Sequence, residues 1–120
     1  MMEFIEGTII EGDKKASALG FPTINIAYRA GELPEIGIYA GGLIYDGEEY
    51  PGAICLAPDK KIEIHCFETV PIKHLTEASL VFRAKISEYV SGDDDAMKKK
   101  IADDVKKTKQ FFVASKEKIE

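Results

Sequence analysis

The alternation of apolar and polar positions lays out most of the chain. Glu3–Glu11 (EFIEGTIIE) alternates and is rich in β-branched residues, and Thr23–Tyr28 (TINIAY) places Ile24 and Ile26 on one face. Gly37–Tyr45 (GIYAGGLIY) is an apolar run with small residues, closed by Asp46-Gly47, and Glu48–Leu56 is the returning arm. Asp-Gly between two such runs predicts a hairpin, because both residues tolerate the positive φ of a type I′ turn. Lys61–Phe67 (KIEIHCF) sets Ile62, Ile64 and Cys66 on one face and Lys61, Glu63, His65 and Phe67 on the other. Ala78–Val90 predicts a further long strand with a bend. About six strands with turn signals and no helical period between them argue against parallel βαβ units. They predict an antiparallel Greek-key barrel or sandwich.

The last quarter changes period. Ser91-Gly92-Asp93 offers an N-cap, and Asp93–Asp95 fall in a first turn where the helix dipole favours anions. Met97, Ile101, Val105, Thr108 and Phe112 then recur at helical spacing, one face of about five turns. Lysines fill the opposite side, as on an ordinary solvated face. Phe111-Phe112-Val113 is expected to anchor the helix end on the sheet. The organisation expected is one domain over 1–120, with strands over 1–90 and the helix over 91–115.

Composition narrows the function. At 120 residues the chain has room for one core, and its 45% hydrophobic and 31% charged residues are ordinary for a soluble protein. The net charge of −5 argues against a nucleic-acid backbone as the main partner. It does not argue against ATP, since a few local donors and a metal handle phosphates. Cys55 and Cys66 sit in apolar runs and read as small buried hydrophobes, with a disulfide between them left open if the two runs pair. No basic leader and no stretch of membrane-spanning length occurs, so a cytoplasmic location and no membrane partner are expected. A monomer is the expected state.

Three places could carry chemistry. Gly12–Asn25 (GDKKASALGFPTIN) joins two strands with two glycines, two lysines and a proline. Backbone N–H groups in such a loop can face a phosphate, with Lys14 or Lys15 adding charge, although the Walker pattern is absent. Thr23 and Asn25 lie two apart at a strand start and so share a face. Their hydroxyl and amide oxygen suit a hard cation such as Mg²⁺, while the ordinary explanation is a loop with a proline-stiffened exit. Glu63 is a carboxylate in an otherwise apolar strand. At a barrel mouth, desolvation would raise its pKa and aim it at a hydroxyl; on a solvent face it would be routine. His65 shares its face, but His74 is too isolated to complete a metal site with it. Ala40-Gly41-Gly42 permits close approach of a backbone or a flat ligand, and Tyr39 is either a stacking residue or a core tyrosine.

These pieces occur in an order that resembles riboflavin kinases of the bacterial and eukaryotic type. The resemblance rests on Gly7–Gly12 (GTIIEG), Leu19–Asn25 (LGFPTIN), Gly37–Tyr39 (GIY), Glu63–His65 (EIH) and the closing helix with Ile101 and Asp104. It implies a six-stranded antiparallel Greek-key barrel with a C-terminal helix. It also implies transfer of the ATP γ-phosphate to the 5′-hydroxyl of riboflavin, giving FMN and ADP. On that basis Glu63 corresponds to the catalytic base. Thr23 and Asn25 correspond to the Mg²⁺ and phosphate ligands, and Gly12, Lys15, Gly20 and Pro22 to the loop around the nucleotide.

The departures lie mostly on the acceptor side. Ala16-Ser17 stands where the family usually has Gly-Arg. Ala53–Leu56 and Ala57–Asp59 replace N-I-G and R-P-T pieces, Leu75-Thr76 replaces Tyr-Gly, and Ile86-Ser87 replaces Ile-Arg. These leave open a degenerate relative that binds flavin or nucleotide without turnover. No histidine precedes His65, so the adenylyltransferase module of many bacterial relatives, whose signature needs histidines, is not expected, nor is FAD formation.

Overall fold

In the computed structural model, residues 3–10, 23–58, 61–68, 70, 76–90 and 94–119 are described. Six strands carry the chain: β1 Glu3–Ile10, β2 Ile24–Gly31, β3 Gly37–Tyr45, β4 Glu48–Leu56, β5 Ile62–Cys66 and β6 Glu77–Ser87. Among the described residues one helix, α1, follows at Asp94–Ile119. The strands close into a barrel in the order β1-β2-β5-β4-β3-β6, every pair antiparallel. Strands β3, β4 and β5 are consecutive neighbours and β6 returns to lie beside β3, which is a Greek key. Closure leaves no strand edge unpaired.

The hairpin forms where it was expected, with Asp46 at φ 51° and Gly47 at φ 81°. Inside the barrel, two-residue alternation brings together Ile5 and Ile9, Ile26, Leu43, Ile54 and Leu56, Ile62 and Ile64, and Leu80 and Phe82. Tyr39 belongs to this core at 6% exposure. Its ring meets Phe82 edge-on at 5.2 Å and its hydroxyl donates to the Glu35 carbonyl, so it is a core tyrosine and not a ligand platform. Gly41 and Gly52 face each other across β3 and β4. A Cβ on Gly41 would lie 2.0 Å from the Val81 carbonyl oxygen, and one on Gly52 2.3 Å from that of His65. The close approach permitted by the glycines is therefore that of neighbouring strands. The bend foreseen in the last strand is a pair of register shifts of β3 against β6, at Ile38/Tyr39 and Ala40/Gly41.

The helix α1 packs on the outer faces of β3, β4 and β6. Outward residues Ile38, Ala40 and Ala53 are buried there, as are Val105 and Thr108 of the helix stripe. The N-cap residues expected at 91–93 lie outside the described residues. No helix among the described residues is long and apolar enough to cross a membrane.

The cysteine runs do pair, but their register separates the thiols. Cys55 stands opposite Glu63, and Cys66 stands opposite Gly52. Alternation then sends Cys55 outward and Cys66 against the core, and the two form no disulfide. Burial pushes the Cys66 thiol up from 9.0 to about 12.

Candidate active site

The strand ladders bring two of the expected site residues together. Asn25 on β2 pairs with Glu63 on β5, and Glu63 pairs on its other side with Cys55 of β4. Directly opposed residues of an antiparallel ladder share a face, with Cβ atoms about 4.5–5.5 Å apart. Ile24, Ile26, Ile62 and Ile64 flank this row and turn toward the core. Asn25, Glu63 and Cys55 must therefore project from the outer wall, where all three are half-buried. Glu63 leaves the outside of the barrel, not its mouth. Thr23 lies one residue before β2 and, by alternation, on the face of Asn25. Gly12, Lys15, Gly20 and Pro22 lie outside the described residues.

Beyond Glu63 the same face continues to an aromatic edge. His65 is two residues on, opposite Ala53. Its ring meets Phe67 at 6.3 Å, and Phe67 meets Phe112 of α1 at 6.1 Å, edge-on. The Phe67 backbone N–H donates to the Pro51 carbonyl at 3.1 Å, which holds the turn after β5 against β4. Lys109 places its ammonium 5.3 Å from the Phe67 ring centre, a cation–π contact. Of the expected helix anchor, Phe112 makes this contact, while Val113 is exposed. An open cavity of about 620 Å³ runs along this flank of α1, lined by Ala102, Val105, Lys106, Lys109, Gln110 and Val113 among others. None of the expected site residues lines it. It reaches the aromatic edge through Lys109.

Phe67 was legible as an outward residue of the Glu63 strand, but nothing local announced its helix partner. Asp104 is a second residue that pattern reading underweights. It interrupts the apolar stripe of α1 and is buried at 4% exposure. Its partners are Lys100 one turn earlier and Ser87 at the end of β6. Thus Ser87, where the resemblance leads one to expect arginine, meets the Asp104 carboxylate beside a lysine supplied by the helix. No group of three or more histidine, cysteine or acidic side chains among the described residues could hold a metal.

The fold alone is shared with a Streptococcus pneumoniae protein described as a macrolide-efflux protein. The two superpose with a TM-score of 0.76 at 16% identity, over 88% of this chain and 38% of that one. Sequence relatives are more informative. The bifunctional riboflavin kinase/FMN adenylyltransferase of Escherichia coli K12 is 27% identical over 121 aligned positions, covering 93% of this chain and 39% of the relative. The Bacillus subtilis protein of the same name is 40% identical over a shorter stretch of 50 positions, 41% of this chain and 16% of its own length. The chain thus spans about two-fifths of the Escherichia coli relative. The riboflavin kinase family profile matches residues 2–112, nearly the whole barrel and helix. With that match over a closed Greek-key barrel, the chain belongs to the riboflavin kinase family.

Proposed function

We propose that this chain phosphorylates riboflavin, moving the γ-phosphoryl group of ATP to the 5′-hydroxyl and releasing FMN and ADP. The observation that carries the reading is the Asn25–Glu63 pair. It sets a carboxylate beside an amide oxygen on one half-buried face, next to the strand start that holds Thr23. A primary alcohol is barely acidic, so its proton must be accepted as the phosphoryl group arrives. In this reading Glu63 accepts it, a role typically worth about 10²–10⁴-fold.

Thr23 and Asn25 present a hydroxyl and an amide oxygen, hard donors of the kind Mg²⁺ takes, with phosphates and water completing an octahedron. Bound there, the ion would neutralise phosphate charge. Gly12, Lys15, Gly20 and Pro22 belong in this reading to the loop around the nucleotide phosphates. The remaining acceleration comes from alignment of the hydroxyl with the phosphoryl group. The flat acceptor ring has an apolar boundary on the same face, the Phe67–Phe112 edge.

The test is direct. Purified protein is incubated with riboflavin, ATP and Mg²⁺, and the flavins are separated by chromatography with fluorescence detection. FMN formed by the wild type and lost in Glu63→Gln, with ADP affinity unchanged, is the expected result. Undiminished kcat in Glu63→Gln would remove Glu63 as the base. No FMN from the wild type would leave a flavin- or nucleotide-binding barrel without turnover.

A further inference from the structure

The stripe of α1 that faces the barrel is apolar at Ile101, Val105 and Phe112, yet Asp104 sits among them with a side chain only 6% exposed. A buried carboxylate is costly unless it is paired and fully hydrogen-bonded. Here the pairing is a closed ring. The Lys100 ammonium donates to Asp104 Oδ1 and Oδ2, each at 2.8 Å, and to Ser87 Oγ at 2.7 Å. Ser87 Oγ in turn donates to Asp104 Oδ1 at 2.7 Å. One turn on, the Thr108 hydroxyl donates to the Asp104 carbonyl at 2.7 Å. Two members of the ring lie on the helix, and Ser87 is the last residue of β6.

The rest of the helix contact is of a different kind. Ile38, Ala40 and Ala53 offer α1 an apolar surface, and apolar burial is non-directional. By itself such a contact holds a helix on a sheet more firmly than it fixes its position along or about its own axis. The hydrogen-bonded ring is directional and fixes both. Eight residues further along, about 12 Å at 1.5 Å per residue, Phe112 meets Phe67, with Lys109 over the same ring. Phe67 is on the strand face that carries His65 and Glu63.

We propose that the Ser87–Lys100–Asp104 ring is a positioning device for the acceptor side of the site, holding α1 in the register that keeps Phe112 and Lys109 on Phe67. This rests on the placement of riboflavin beside Glu63. Lys100 is then a positioning residue: it touches neither substrate and acts through the helix.

Two variants test it, Lys100→Met and the double variant Lys100→Met/Asp104→Met. The double variant removes both charges and fills the site with apolar groups, a replacement that commonly restores stability. The readouts are the melting temperature, KM for riboflavin, KM for ATP, and hydrogen exchange of the amides at 105–113 and at Phe67. In both variants riboflavin KM is expected to rise about tenfold, the size of effect a small misplacement produces, with ATP KM unchanged. Exchange should quicken at Phe112 and Phe67 in both, even where the double variant melts like the wild type. A folded variant with unchanged riboflavin KM, or one in which both KM values rise together, would overturn the proposal. So would recovery of riboflavin KM in step with the melting temperature in the double variant, which would make the ring structural only. If the wild type forms no FMN, the kinase reading fails by itself and exchange alone decides the ring: quickening at Phe112 and Phe67 supports it, and unchanged exchange refutes it.

Discussion

Ile62 and Ile64 point into the barrel and are almost wholly sealed, whereas Glu63 and His65, on the same five-residue strand, point outward and are half-buried. Two adjacent positions thus answer to different physics. An inward side chain is held by dense packing, so its size is constrained and its chemistry is apolar. An outward one contributes little to the core and is free to carry a carboxylate. The ladder makes that freedom useful, because it aligns Glu63 with Asn25 from a strand some forty residues earlier.

The contrast can be broken from either side. Glu63→Gln should reduce kcat by about 10²–10⁴-fold while its urea unfolding midpoint stays near wild type, since the isosteric change touches no core contact. Ile64→Ala should do the reverse. It opens a cavity where the side chain is 0% exposed and should lower unfolding free energy by about 2–5 kcal/mol. Enough activity should survive at low temperature to show that kcat per folded molecule is nearly unchanged. If Ile64→Ala abolished turnover in the folded state, the separation of the two faces would be wrong.

Gly41→Ala sharpens the comparison at another inward position. Its new Cβ would collide with the backbone carbonyl of Val81, so β3 and β6 must move apart, at about 1–3 kcal/mol of stability in denaturant titrations. Asn25→Ala should weaken ADP binding about tenfold, or 1.4 kcal/mol, when Mg²⁺ is present. Calorimetry should find little change without the metal. Equal weakening in both conditions would count against Asn25 as a metal ligand.

The smallest effect concerns Cys66. Burial favours its neutral thiol, raising the folded pKa from 9.0 to about 12. Below pH 9 both folded and unfolded thiols are protonated and the group adds no pH dependence. Between pH 9 and 12 the unfolded chain loses the proton while the folded one keeps it, so stability falls as pH rises. Cys66→Ala should flatten that alkaline limb in a series of thermal melts, and a limb of unchanged slope would exclude Cys66 as its source.

Much of this was readable from local pattern. The β3–β4 hairpin bounds, Gly37–Tyr45 and Glu48–Leu56, follow from two apolar runs around Asp-Gly, because turn chemistry and strand alternation act within a few residues. The two faces of β5 follow from period two alone. The family follows from ordered short motifs, LGFPTIN above all. Tyr39 was ambiguous because a core tyrosine and a stacking tyrosine look alike until the Phe82 ring is placed beside one of them. The cysteines were ambiguous for a related reason: pairing of their runs was foreseeable, but a register offset of three residues is not written in either run.

What the sequence alone determined is therefore the set of elements, their inward and outward faces, and the residue types available for the proposed phosphoryl transfer. What only the tertiary structure decided is which outward residues meet. Asn25 lies against Glu63, Phe67 against Phe112, and Ser87 against Asp104, each pair bringing together separate elements. Periodicity reports the environment of a residue along its own element. Partners across elements are chosen by barrel closure and by where the helix comes to rest, which depend on the whole core at once.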